Sequence, residues 1–181
     1  MADTVGFYAV LPSSDGKGQL GALLVTDEIG KPEEFRVTYP VKPTLVQKQL
    51  YGDSLFPHVG VELCGAPLYE SLRNKPDVLL VSDERLLLLS RHVSCPVVHA
   101  SRLGDTLQVK AGDAPARGTL KSSLGRFNPI GLSFPAEYGD DDRRGAQELL
   151  ERFFEHIDLL EPFDRITAAV KELAAQNTEF A

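Results

Sequence analysis

Gly16, Gly18 and Gly21 spell G-x-G-x-x-G in the stretch GKGQLG, the spacing that elsewhere wraps a backbone around the phosphates of a nucleotide. Such a site needs the glycines to open a helix whose N-terminal amides meet the pyrophosphate. Here they precede the strand-like run GALLVTD, so the stretch reads as a turn. A kinase-type glycine loop does lie between strands, but no H-R-D, D-F-G or V-A-I-K element follows. The histidines, His58, His92, His99 and His156, form no H-x-x-x-H pair and do not stand with cysteines at zinc spacing. His92, Cys95 and His99 are the closest cluster, and their spacing fits no known ligand set. No G-x-S-x-G elbow is present, and Cys64 would need His58 brought back across a loop to act as a nucleophile. Both Cys64 and Cys95 therefore read as reduced core residues, too few for a disulfide framework.

The charge balance narrows the partners. A net charge of -7 and an isoelectric point near 5.1 count against a protein whose main business is gripping a phosphate backbone. The average hides a segregation: residues 85–126 hold 7 Lys and Arg against 2 Asp and Glu, whereas residues 137–181 hold 5 against 12. Five of the seven in this basic segment, Arg102, Lys110, Arg117, Lys121 and Arg126, are the candidate contacts to an anionic partner. The plain expectation sets it against the acidic C-terminal helices of the same chain, with no nucleic-acid partner.

The elements that must position these groups follow from periodicity. VGFYAVL reads as a strand, and the turn cluster PSSDGKG stops it. LLVTDEIGKPEEFRVTYPV reads as a hairpin turning at Gly30 and Pro32. Its second arm alternates Phe35, Val37 and Tyr39 with polar residues, while its first is apolar at consecutive positions and belongs deeper in the sheet. Thr44 and Gln47 have capping-box spacing for a short helix ending at Gly52. APLYESLRNK reads as a second helix with Pro67 near its start, and PDVLLVSD as a buried strand. RLLLLS stays open between strand and helical turn, CPVVHAS reads as a strand, and TLQVK and IGLSF as small strands in a loop-rich flank. Ala146, Leu149, Leu150, Phe153, Phe154 and Ile157 share one helical face, and a further helix opening at Pro162 buries Phe163, Ile166, Val170 and Leu173.

Two resemblances add to this. The segment GVELCGAPLYESLRNKPDVLLVSD resembles part of endonuclease V, an RNase H-like nuclease, in which a glutamate precedes a Gly-Pro helix start and the next strand ends in an aspartate. That resemblance implies Mg²⁺ held by carboxylates, with Glu62 and Asp83 in their places. GFYAVL contains no aspartate where that family carries its central metal ligand, which leaves Asp27, at the end of the second strand, as the third carboxylate. Separately, VTDEIGKPEEFRVTYPVKPTLVQKQLYG and LLEPFDRITAAVKEL resemble a group of uncharacterised bacterial proteins, which implies one inherited unit and no particular activity.

The expectation is an α/β fold: a mixed central sheet with an N-terminal β-hairpin, flanking helices and two C-terminal amphipathic helices. Residues 1–138 form the sheet domain and 139–181 a helical pair packed on it, as a single structural unit. The N-terminus has no basic, apolar leader, and no later run is long enough to cross a bilayer, which points to the cytoplasm. With no complete catalytic constellation, the expected function is a non-catalytic accessory or adaptor protein that binds another protein or itself and needs no cofactor. The alternative is a metal-dependent RNase H-like nuclease or nucleic-acid-binding protein, with Mg²⁺ at Asp27, Glu62 and Asp83.

Overall fold

Apolar runs that cannot face water on either side lie at the centre of the fold. The structure, a computed structural model, describes residues 3–103 and 116–181. β1 (Val5–Pro12), β2 (Gln19–Thr26), β3 (Pro32–Val37), β4 (Val78–Val81), β5 (Val97–Arg102), β6 (Ala116–Leu120) and β7 (Ile130–Phe134) form a seven-stranded sheet in the order β3-β2-β1-β4-β5-β7-β6. β4 and β5 continue β1 in parallel, and antiparallel pairs flank this centre on both sides. The β2–β3 hairpin turns where expected. Gly30 has φ 82°, a conformation that strains residues bearing a Cβ, and Asp27 Oδ1 accepts from the backbone N–H of Ile29 and Lys31 at 3.1 and 2.8 Å.

Each face of the sheet carries its own core. On one face Phe7, Leu24, Leu80, Val98 and Leu132 pack with Phe153 and Phe154 of α4 (Asp140–Phe154) and Ile166 and Val170 of α5 (Glu161–Gln176). On the other, Tyr8, Leu23, Leu79, Val81 and Val97 pack under Val59, Cys64, Leu68, Tyr69 and Leu86. α1 (Leu45–Tyr51), which buries none of its residues, leads into the cover on this second face, a chain of short helices: α2 (Leu55–Pro57), a π-helix (His58–Gly65), α3 (Ala66–Ser71) and a 3₁₀ helix (Glu84–Arg91). Thr44 caps α1 with the expected box, its hydroxyl accepting from Gln47 N–H while the Gln47 side chain accepts from Thr44 N–H.

RLLLLS, left open by periodicity, is the 3₁₀ helix, because Asp83 caps its start and Leu86 and Leu89 turn inward together. TLQVK lies outside the described residues. β6 forms from ARGTL, which carries no clear strand signal: its Gly weakens strand propensity, and pairing with β7 overrides that. Among the described residues no helix is long and apolar enough to cross a membrane.

Candidate functional site

Strand register decides whether the three carboxylates can share a metal. Val5 of β1 pairs with Thr26 on one side and Val78 on the other, while Tyr8 pairs with Leu23 and Val81. Asp27 follows Thr26 past one end of these strands, and Asp83 follows Val81 past the opposite end. Six residues of extended chain separate the two levels, roughly 20 Å at strand rise. Each carboxylate is also engaged locally. Asp27 holds its own turn, and Glu62, 59% exposed on the π-helix, lies 2.9 Å from His58 Nδ1. Asp83 accepts from Arg85 N–H and Nε at 2.9 Å and from its terminal nitrogen at 2.7 Å. Burial pulls the Asp83 pKa up, but those Arg85 hydrogen bonds outweigh it and hold the carboxyl below its ordinary range. The structure does not bring Asp27, Glu62 and Asp83 together, and among the described residues no group of three or more His, Cys, Asp or Glu could hold a metal ion.

The centre of β1 is filled rather than open. Tyr8 is fully buried, and its hydroxyl donates to the Gly60 carbonyl at 2.5 Å. Gly21 and Gly65 leave the room it occupies: a Cβ at Gly21 would stand 2.8 Å from the Tyr8 hydroxyl, and one at Gly65 3.1 Å from its ring. The Mg²⁺ implied by the endonuclease V resemblance needs converging oxygen ligands, which these residues do not supply. Cys64 receives a weak hydrogen bond from the Thr38 hydroxyl at 3.6 Å, and burial pushes its thiol up. Burial also pushes Cys95 up to about 11, so neither is poised as a thiolate nucleophile.

Polar groups do gather at the end of the sheet that Asp83 marks, the carboxyl end of the parallel strands. Val81, His99, Ser133 and Arg117 stand opposite one another across β4, β5, β7 and β6, so the last three share the second face. Arg117 lies 3.4 Å from Glu84. His99 Nδ1 is buried without a hydrogen-bond partner, and burial lowers its pKa against the upward pull of Glu84 and Asp83. The alternation in CPVVHAS carries the strand signal for His99; nothing local announces Glu84 and Arg117 as its neighbours.

The basic segment converges by pairing of strands. Arg102 ends β5 opposite Ile130, and Ile130 pairs in turn with Leu120, so Lys121 and Arg126 in the β6–β7 turn come to the same end as Arg102. Lys110 lies outside the described residues. Part of the segment does meet the acidic C-terminal helices: Glu155, at the end of α4, accepts from Ser123 N–H through Oε1 at 2.6 Å and from Arg126 through its carbonyl at 3.4 Å, and the charge of Arg126 helps the Ser123 bond to hold its carboxyl low. Arg117 pairs instead with Glu84.

No protein-family model and no curated protein matches the chain, so the resemblance to an uncharacterised bacterial group finds no support there. Solved structures do match. Human ENDOV aligns at 17% identity over 97% of this chain and 85% of its own, with a TM-score of 0.65. The catalytic domain of human endonuclease V aligns at 14% identity over 99% and 85%, with a TM-score of 0.62. Endonuclease V of Ciona intestinalis, solved with a 24mer DNA containing an inosine followed by a ribo-adenosine, aligns at 14% identity over 97% and 88%, with a TM-score of 0.54. At this identity the likeness is one of fold, and it spans nearly the whole chain. It overturns the expectation of a non-catalytic adaptor acting through protein binding, and with it the expectation that nucleic acid is not a partner.

Proposed function

We propose that this protein engages nucleic acid, using the carboxyl end of its parallel strands and the basic groups gathered at β5, β6 and β7. The observation that carries this reading is the correspondence of almost the entire chain with endonuclease V structures, one of them solved on DNA. Open α/β sheets bind ligands outside the carboxyl ends of their strands, where Arg102, Lys121 and Arg126 stand here. An overall charge of -7 is compatible with this, because phosphate contact depends on the local face rather than the molecular average. A metal-assisted cleavage step has no donor set among the described residues, and Asp27, Glu62 and Asp83 carry no step here. The free Cys64 and Cys95 support a reducing, cytoplasmic setting for this activity.

Fluorescence anisotropy with labelled single- and double-stranded DNA and RNA tests the reading. Three phosphate contacts predict an affinity that falls roughly fortyfold for duplex DNA, and roughly twentyfold for single strands, between about 50 and 200 mM salt. Arg102→Ala, Lys121→Ala and Arg126→Ala should each flatten the salt slope by about one. Absence of binding at low salt for every strand type would overturn the reading. Running the same mixtures with Mg²⁺ or Mn²⁺ scores cleavage alongside.

A further inference from the structure

Arg102 and Arg126 do more than decorate a surface: both line one cavity of about 540 Å³ at the end of β5, between the β6–β7 turn and the α4–α5 junction. That volume falls in the range of sites that hold small organic ligands. Phe127, Pro129 and Leu160 supply an apolar wall. The Phe127 ring is held in place against Phe154, with centroids 5.5 Å apart and planes inclined by 37°. Arg126 is steadied through its backbone, whose N–H donates to the Ser122 hydroxyl at 3.2 Å, while its guanidinium makes only the long contact to the Glu155 carbonyl. Neither arginine forms an ion pair with a carboxylate among the described residues. Among the described residues of the lining Asp158 is the one acid, and its Oδ1 accepts from Leu160 N–H at 3.0 Å at the start of α5. Glu155, at the end of α4, stands beside the cavity: its Oε1 accepts from Ser123 N–H at 2.6 Å, and the charge of Arg126 helps that bond to hold its carboxyl low.

An apolar wall beside two guanidinium groups matches a ligand that is aromatic at one end and anionic at the other. Guanidinium groups present paired donors that fit phosphate oxygens, and bases pack on aromatic and apolar surfaces whatever their identity. We propose that this cavity binds one nucleoside phosphate unit, its phosphate between Arg102 and Arg126 and its base against Phe127, Pro129 and Leu160. Asn128, also in the lining, carries an amide whose donor and acceptor could read a base edge. The inference rests on the nucleic-acid reading above and narrows it to a defined subsite, which a free nucleotide and a nucleotide within a strand would fill by the same chemistry.

Calorimetry on the full chain with nucleoside 5′-monophosphates, the matching unphosphorylated nucleosides and inorganic phosphate tests the site, with anisotropy on a short single-stranded oligonucleotide run in parallel. The monophosphate should bind more tightly than either of its parts. Arg102→Ala and Arg126→Ala should each weaken it about tenfold, the loss expected for a charge-assisted hydrogen bond. Arg102→Lys, which keeps the charge and removes the fork, should recover only part of that loss. Lys48→Ala, on the exposed α1, should leave mononucleotide binding unchanged. Unchanged melting temperatures show that these variants remain folded. If the oligonucleotide binds but neither arginine matters and no monophosphate binds, the subsite is overturned while nucleic-acid binding stands. If the monophosphate binds in an arginine-dependent manner and no strand does, the subsite stands with a free nucleotide as ligand. If neither binds, both fall.

Discussion

Tyr8 stands in the middle of β1 with its ring between Gly21 and Gly65 and its hydroxyl on the Gly60 carbonyl, so the strand's central position is a structural lock. Burial pushes this phenol's pKa far up, which keeps it a neutral donor at any ordinary pH. Tyr8→Phe should cost about 0.5–1.5 kcal/mol in urea denaturation, because the buried Gly60 carbonyl would lose the hydrogen bond from the hydroxyl while keeping its place in the π-helix. A loss within error of zero would mean that the π-helix shifts to find another donor. Asp83 makes the opposite kind of prediction, one that depends on pH. Its folded pKa lies below the ordinary value of about 3.9, so its charged form stabilises the protein above that value, and the contribution is lost as pH falls through the folded pKa. Wild type should therefore exceed Asp83→Asn by about 0.5–1 kcal/mol at neutral pH, and the gap should close on acidification below about pH 4. A gap that stays constant into acid would assign the loss to packing instead of charge.

Among the elements, α1 is the one held by its ends. None of its residues is buried, and Leu45 and Leu50 are 79% and 78% exposed. A helix this short is marginal without packing, so the Thr44–Gln47 capping box must supply much of its stability. Thr44→Ala should cost the helix about 1 kcal/mol and raise hydrogen exchange at Lys48 and its neighbours, with the global melting temperature nearly unchanged. A drop of several degrees would show that α1 is coupled to the core. The elements also differ in how plainly they can be read. α1, β2, β3, α4 and α5 follow from local periodicity and caps, whereas β6 and the 3₁₀ helix form because the sheet edge and the second core give weak local signals a partner.

Across the whole molecule, Phe153, Phe154, Ile166 and Val170 complete the core on the first face of the sheet. We propose that residues 1–138 and 139–181 form one folding unit, so truncation at Gly145 should abolish the cooperative unfolding transition or cause aggregation, as judged by calorimetry. A truncated chain that melts like the intact one would make the helices a separate arm. The α/β class, the N-terminal hairpin and the amphipathic C-terminal helices were legible in the sequence, because burial writes itself into periods of two and of 3.6 residues. So was the basic segment, as a run of charge. The sequence could suggest Asp27, Glu62 and Asp83 as partners, but not that the antiparallel turn of β2 carries Asp27 to one end of the strands while parallel β4 delivers Asp83 to the other. Nor could it bring Arg102 into one cavity with Arg126, since the β5–β7 pairing that joins them spans a long stretch of chain. Local patterns report what each segment buries; strand direction and register, set only when distant segments pair, decide which side chains meet.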